Sequence, residues 1–289
     1  ERRNLIVLSP FHPFPGRPLK ENMTDFLNLY KAFLRISTTM MIQYRASGLI
    51  WMIGAVLDPI IFLVVWSVAA RASGGTVGGM APSDFAAYYI VLMLVNHLTF
   101  TWIMEVFQYR VQYGNFNAEL LRPVHPIHMD IADNIAYKLV MTVVMIPAVV
   151  ICVWLFEPDF VFIPWALAAA LSAVLLAFLV RFFLEWTLAL VTFWTTRTQA
   201  INRTYFGVLM FMSGRVAPIA LLPGILQDVT SVLPFYYMVA FPVEVAVGRL
   251  SPAEAMDGFM IQILWLAAAL GIITSTWRFA LKRFSAVGG

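Results

Sequence analysis

Six stretches of this 289-residue chain stay apolar for about the length of a bilayer-crossing helix: roughly 47–70, 84–107, 136–156, 164–194, 205–222 and 258–280. A hydrocarbon core about 30 Å thick takes roughly 20 helical residues, and since no water reaches it, each backbone N–H and C=O must be paired within the helix. Hydrophobic residues make up 61% of the chain and charged ones 12%, with a mean hydropathy of +0.80. The reading is an all-α integral membrane protein with six transmembrane helices. The net charge of +3 does not argue for a nucleic-acid partner. Cys152 is the only cysteine, which excludes an intrachain disulfide and a multi-thiol metal site.

Lysine and arginine set the orientation. With the N-terminus inside, Arg2, Arg3, Arg17, Lys20, Lys31, Arg35 and Arg45 fall inside, followed by Arg110, Arg122 and Lys138, then Arg197 and Arg203, then Arg278, Lys282 and Arg283. Fifteen of the nineteen basic residues are then cytoplasmic, which places both termini inside a plasma (inner) membrane. A seventh apolar stretch, 229–248, carries Pro234, Phe235, Tyr236, Tyr237, Pro242 and Glu244. Its prolines and its glutamate break it into short pieces, so it reads as re-entrant or interfacial helices on the outer side, between spans five and six.

Residues 1–24 read as a flexible cytoplasmic lead-in, and 25–289 as one transmembrane domain. Over 25–44, Phe26, Leu29, Tyr30, Phe33, Ile36 and Met40 share one helical side, with Asn28, Lys31 and Arg35 opposite, as expected of a helix in the cytoplasmic interface. The same pattern also suits a helix packed on the protein's own core.

The stretch NFNAELLRPVHPIHMDIADN, 115–134, is a polar island in an apolar chain. A short helix capped by Asn115 or Asn117 and stopped at Pro123 would make a stiff knob, with Glu119 and Arg122 at its rim. His125 and His128 lie near Asp130 and Asp133 without a recognised metal-ligand spacing, so they are expected in a solvated or partner-facing loop with no metal. No G-x-x-x-x-G-K-[ST] and no nucleophile elbow occur, so no catalytic residues are assigned and any energy source belongs to another chain. Polar groups inside spans are costly and mark either internal ties or a pathway: Asp58, Asn96, His97, and Arg181 with Glu185, spaced to pair across one helical turn.

These elements resemble the permease subunits of ABC-2 type exporters, in the six-span, drug-export-like branch that ends in a glycine pair. The resemblance is carried by QYRASGLIWMIGAVLDPIIFLVVW (43–66), YGNFNAELLRPVHP (113–126), LVTFWTTR (190–197), MSGRVAPIALLPGIL (212–226), LPFYYMVAFPVEVAVGRLS (233–251) and KRFSAVGG (282–289). It implies a pair of permeases, identical or homologous, in membrane lipid, each docked on a cytoplasmic ABC ATPase that carries the ATP and magnesium. It also implies that the interfacial helix and the loop between spans two and three meet that ATPase. This chain's candidates there are Lys31, Arg35, Asn115, Asn117, Glu119, Leu120, Leu121, Arg122 and Pro123. The substrate would be a small amphiphilic, drug-like or lipid-like molecule leaving the cytoplasm. An ion-coupled secondary transporter using Asp58 or Arg181 and Glu185 is the alternative, and a membrane enzyme or structural anchor is the third reading.

Overall fold

A computed structural model describes residues 19–195 and 197–284 of the chain. Most of the expected lead-in and the terminal glycine pair lie outside these residues, as do Arg2, Arg3 and Arg17. The described residues form helices without strands: α1 (Leu19–Gln43), α2 (Arg45–Ala72), α3 (Pro82–Thr99), α4 (Ile103–Gln112), α5 (Asn115–Leu120), α6 (Ile127–Phe156), α7 (Pro164–Ala189), α8 (Gln199–Met212), α9 (Gly224–Val232), α10 (Pro234–Met238), α11 (Ala240–Ala246) and α12 (Pro252–Arg283). Helix starts are written locally. Pro82 and Pro164 sit in the first turns of α3 and α7, where a missing N–H costs nothing. At α12, Ser251 and Glu254 exchange backbone and side-chain hydrogen bonds in a capping box.

Among the described residues, five helical stretches are long and apolar enough to cross a membrane: α2, α3 with α4, α6, α7 with its following 3-10 turn, and α12. The stretch 205–222, expected as the fifth of six spans, is not among them. α8 stops at Met212, and Gly214 turns into the left-handed region at φ 79°. A Cβ there would lie 2.6 Å from the Tyr88 hydroxyl and 2.7 Å from Ala240 Cβ, so only glycine fits. The backbone opened by this break is satisfied from the side: Tyr88 donates to the Gly214 carbonyl at 3.0 Å, and Trp66 and Tyr89 donate to that of Val216 at 2.8 and 3.0 Å. Pro218 and Pro223, which lack donors, prevent helix from resuming before α9.

The two ends of the bundle are distinct. At one, α5 lies beside the C-terminal end of α12, since Phe116 and Phe284 pack at 5.9 Å. At the other, Gly78 abuts Leu221, Gly248 abuts Ile163, and Asp159 N–H donates to the Ser83 carbonyl. α7 and α12 run in the same direction: Gln262 donates to the Ala173 carbonyl near their starts, and Trp277 packs on Trp186 near their ends.

α1 packs along α6. Its inward side holds Phe26, Leu29, Tyr30, Phe33 and the buried Ser37, while Ile36 and Met40, expected on the same side, are exposed. The correction has a chemical cause: Ser37 donates to Asp133 and the Tyr30 hydroxyl meets His128 Nδ1 at 2.9 Å, and these polar ties rotate the helix away from its purely apolar stripe.

Candidate functional site: an anchored knob and two ion pairs

The polar island is mostly helical. α5 spans Asn115–Leu120, and α6 already begins at Ile127, so His128, Asp130 and Asp133 belong to a long helix rather than a loop. α5 is not capped by Asn115 or Asn117; it starts from left-handed Gly114, at φ 73°. Its anchor is Arg110, on α4. One guanidinium nitrogen holds Glu119 at 2.9 Å and another holds Asp130 at 2.7 Å, while Trp186 donates to the second oxygen of Asp130 at 2.8 Å. Phe107, Phe116, Phe193 and Phe284 pack around this fork. Burial lifts the Glu119 carboxyl above its usual range, with Arg110 pulling it back.

The tip of the knob is open where its base is closed. Leu121 is 87% exposed, next to exposed Arg122 and Pro123. Asn115 is exposed, while Asn117, Glu119 and Leu120 are partly covered. On α1, Lys31 and Arg35 lie on the exposed face. The expectation of solvated histidines fails. His125 is buried between Trp186 and Trp277, at ring distances of 5.5 and 4.4 Å, and its Nδ1 accepts from Ile127 N–H. Burial pushes the His125 ring down to about 3, with His128 contributing. His128 is buried against α1, where its Nδ1 shares a hydrogen bond with the Tyr30 hydroxyl, which burial holds up at about 12. No metal-binding cluster of His, Cys, Asp or Glu occurs among the described residues.

Within the bundle, Arg181 and Glu185 form an ion pair at 2.8 Å, both fully buried. Glu185 also accepts from Thr101 and from Tyr205, the latter at 3.1 Å, and Arg181 reaches Asn96 at 3.4 Å and Thr99 at 3.5 Å. This network fills the break between α3 and α4. There, Phe100 presents its ring to Arg181 at 5.3 Å, and its carbonyl accepts from Lys138 at 3.0 Å. Lys138 lies in α6, where the broken helix offers it an acceptor. His97 meets Thr142 at 3.2 Å.

Asp58 stands apart from these groups. It pairs at 3.3 Å with Arg215, which the early end of α8 brings alongside α2. In the stretch 229–248, α9, α10 and α11 replace any single helix, and Glu244 is buried and accepts from Tyr236 at 2.5 Å. Pro234 starts α10 and Pro242 lies in the first turn of α11, Tyr237 donates to the Ser231 carbonyl, and Phe235 packs near Tyr205. Sequence reasoning missed Arg110, Asp130, Tyr205 and Arg215 as partners. The only available signal was that each is a polar group within or beside an apolar run, which requires a mate but does not say which.

A helical bundle with long apolar helices, internally paired charges and a polar knob at one end is a multi-pass membrane protein. Its sequence matches the family described as ABC-2 family transporter protein over residues 56–288, and the chain belongs to that family, as the membrane-embedded permease subunit of an ABC transporter. No curated protein matches the chain.

Proposed function

We propose that this chain is half of the membrane pathway of an ATP-driven exporter, paired with an identical or homologous permease and driven by a cytoplasmic ABC ATPase that binds ATP and magnesium. The observation that carries this reading is the knob: a base held rigidly by Arg110 and a tip whose Leu121 is 87% exposed, a shape suited to transmitting force from a groove on another protein. Lys31 and Arg35 are exposed on α1, a helix held against α6.

Both termini lie in the cytoplasm of a cell bounded by this plasma (inner) membrane, with α5 on that side. The basic residues support this orientation, because Arg278, Lys282 and Arg283 lie at the α5 end of α12. The shared direction of α7 and α12 supports a return crossing between them, the sixth, made by α8 and the broken segment after it. In this arrangement α9–α11 form the re-entrant outer segment, where non-helical backbone is covered by protein. The substrate is a small amphiphilic, drug-like or lipid-like molecule. The alternative of an ion-coupled carrier based on Arg181 and Glu185 is less favoured, because both groups are engaged in internal hydrogen bonds with no exposure.

The test is co-purification of the ATPase with Leu121→Asp and Arg122→Glu permeases. Burying an unpaired charge in the joint costs about 2 kcal/mol or more, so ATPase recovery and transport-linked hydrolysis fall at least about tenfold while membrane insertion is unchanged. Normal recovery with both variants would reduce the knob to a solvated turn.

A further inference from the structure

Asp58 stands midway along α2, yet 55% of its side chain is open, and Arg215, its partner, is 19% exposed. Charges at that depth are too costly to face lipid, so this side of the molecule faces a watery or ligand-filled space. The surroundings are shaped. Trp51, Gly54 and Asp58 follow at helical steps of three and four residues, hence on one face of α2. Trp51 is 76% exposed, and a side chain added at Gly54 would meet nothing within 4 Å. On α8, Gly207 has the same open space and exposed Phe211 lies one turn on, with Arg215 four residues further along the chain.

We propose that Asp58 and Arg215 form the headgroup site for the exported amphiphile, that the headgroup is zwitterionic, and that the apolar body lies in the notches at Gly54 and Gly207 against Trp51 and Phe211. The proposal rests on the exporter reading above. Arg215 commits one of its five N–H groups to Asp58, and neither residue has another hydrogen-bond or ion-pair partner among the described residues; Arg181 acts on Arg215 only through its charge, which Glu185 pairs. A zwitterion can open this loose pair without leaving a charge stranded: its anionic group takes the guanidinium fork and its ammonium group takes the carboxylate. An anionic head would leave Asp58 repelling it, and a cationic head would leave Arg215 doing the same, so charge balance selects the zwitterion over both.

The experiment measures equilibrium binding of dodecylphosphocholine, dodecyl phosphate and dodecyltrimethylammonium to the purified full chain in lipid nanodiscs. The expected result is saturable binding, tightest for dodecylphosphocholine and weakened about tenfold by either Asp58→Asn or Arg215→Gln. The order of the probes also changes: Asp58→Asn comes to favour dodecyl phosphate, and Arg215→Gln comes to favour dodecyltrimethylammonium. Gly54→Leu fills the notch and weakens all three without altering their order. A brace that merely held α2 to α8 would lower thermal stability in the charge variants but leave the order unchanged, and that result overturns the proposal. So does non-saturable partitioning of all three probes, or a wild-type preference for either singly charged probe. Binding is measured without the ATPase, so failure of the ATPase to co-purify would break the exporter reading alone, while unselective binding with the ATPase retained would break the headgroup site alone.

Discussion

Two of the ion pairs among the described residues, Arg181 with Glu185 and Asp58 with Arg215, are built in opposite ways. Arg181 and Glu185 are one helical turn apart, fully buried, 2.8 Å from each other and surrounded by Thr101, Tyr205, Asn96 and Thr99. Asp58 and Arg215 come from distant helices, meet at 3.3 Å and stay partly open. The first pair is closed within the chain: both side chains are fully buried and tied to neighbours, with one Arg181 nitrogen left without a hydrogen-bond partner among the described residues. The second is left for something outside the chain to complete. Burial and the number of supporting hydrogen bonds, rather than the presence of a salt bridge, separate a structural tie from a candidate pathway group.

The largest expected effect comes from breaking the closed pair. Glu185→Gln or Arg181→Met strands a buried charge and lowers stability by about 3–5 kcal/mol, whereas the double replacement Arg181→Met with Glu185→Leu recovers much of it. Thermal unfolding of the purified protein reads both, and single variants as stable as wild type would show that the pair is not sealed. Next comes Arg110→Met, which leaves Glu119 and Asp130 without their shared cation. It lowers stability by about 1–3 kcal/mol and, more tellingly, raises amide hydrogen exchange across 115–121. Unchanged exchange there would mean that the aromatic cluster alone holds the knob.

A smaller effect follows from pH. The His125 ring is held down to about 3 in the folded protein, against about 6.5 when unfolded. Between those values only the unfolded chain takes up this proton, so stability falls as pH drops below about 6.5. His125→Asn keeps an acceptor for Ile127 N–H and should flatten this part of the acid-side loss when unfolding temperatures at pH 8 and pH 5 are compared. An equally steep loss in the variant would assign it to other groups. The smallest effect is expected at the open pair, where Asp58→Asn should change thermal stability by less than about 1 kcal/mol, because a partly exposed pair gains little. A loss as large as that of Glu185→Gln would erase the contrast between the two pairs.

The helix set was largely readable from the pattern of apolar runs, because in lipid a run of that length has few alternatives to helix. The i, i+4 tie between Arg181 and Glu185 was readable for the same reason: one helix fixes the geometry of both partners. Reading failed where the chain breaks. Residues 205–222 are apolar enough for a span, and only the approach of Tyr88 and Ala240 to Gly214 shows why the helix must end. The histidines of the island looked solvent-facing because prolines and charges surround them in sequence, yet Trp186 and Trp277 enclose His125 from two other helices.

By itself, then, the sequence determined that the chain is helical and membrane-embedded, that a polar knob interrupts it after the second apolar run, and that Arg181 would find Glu185, because each of these follows from spacing along a single segment. Tertiary structure decided that Arg110 anchors the knob through Glu119 and Asp130, that Ser37 and Tyr30 turn α1 toward α6, and that Asp58 meets Arg215. In the case of Asp58 the two residues are 157 positions apart, and no local period carries that information. A buried or intramembrane charge announces in sequence that it needs a partner, but which partner it gets depends on where packed helices happen to break and bring side chains to the same depth.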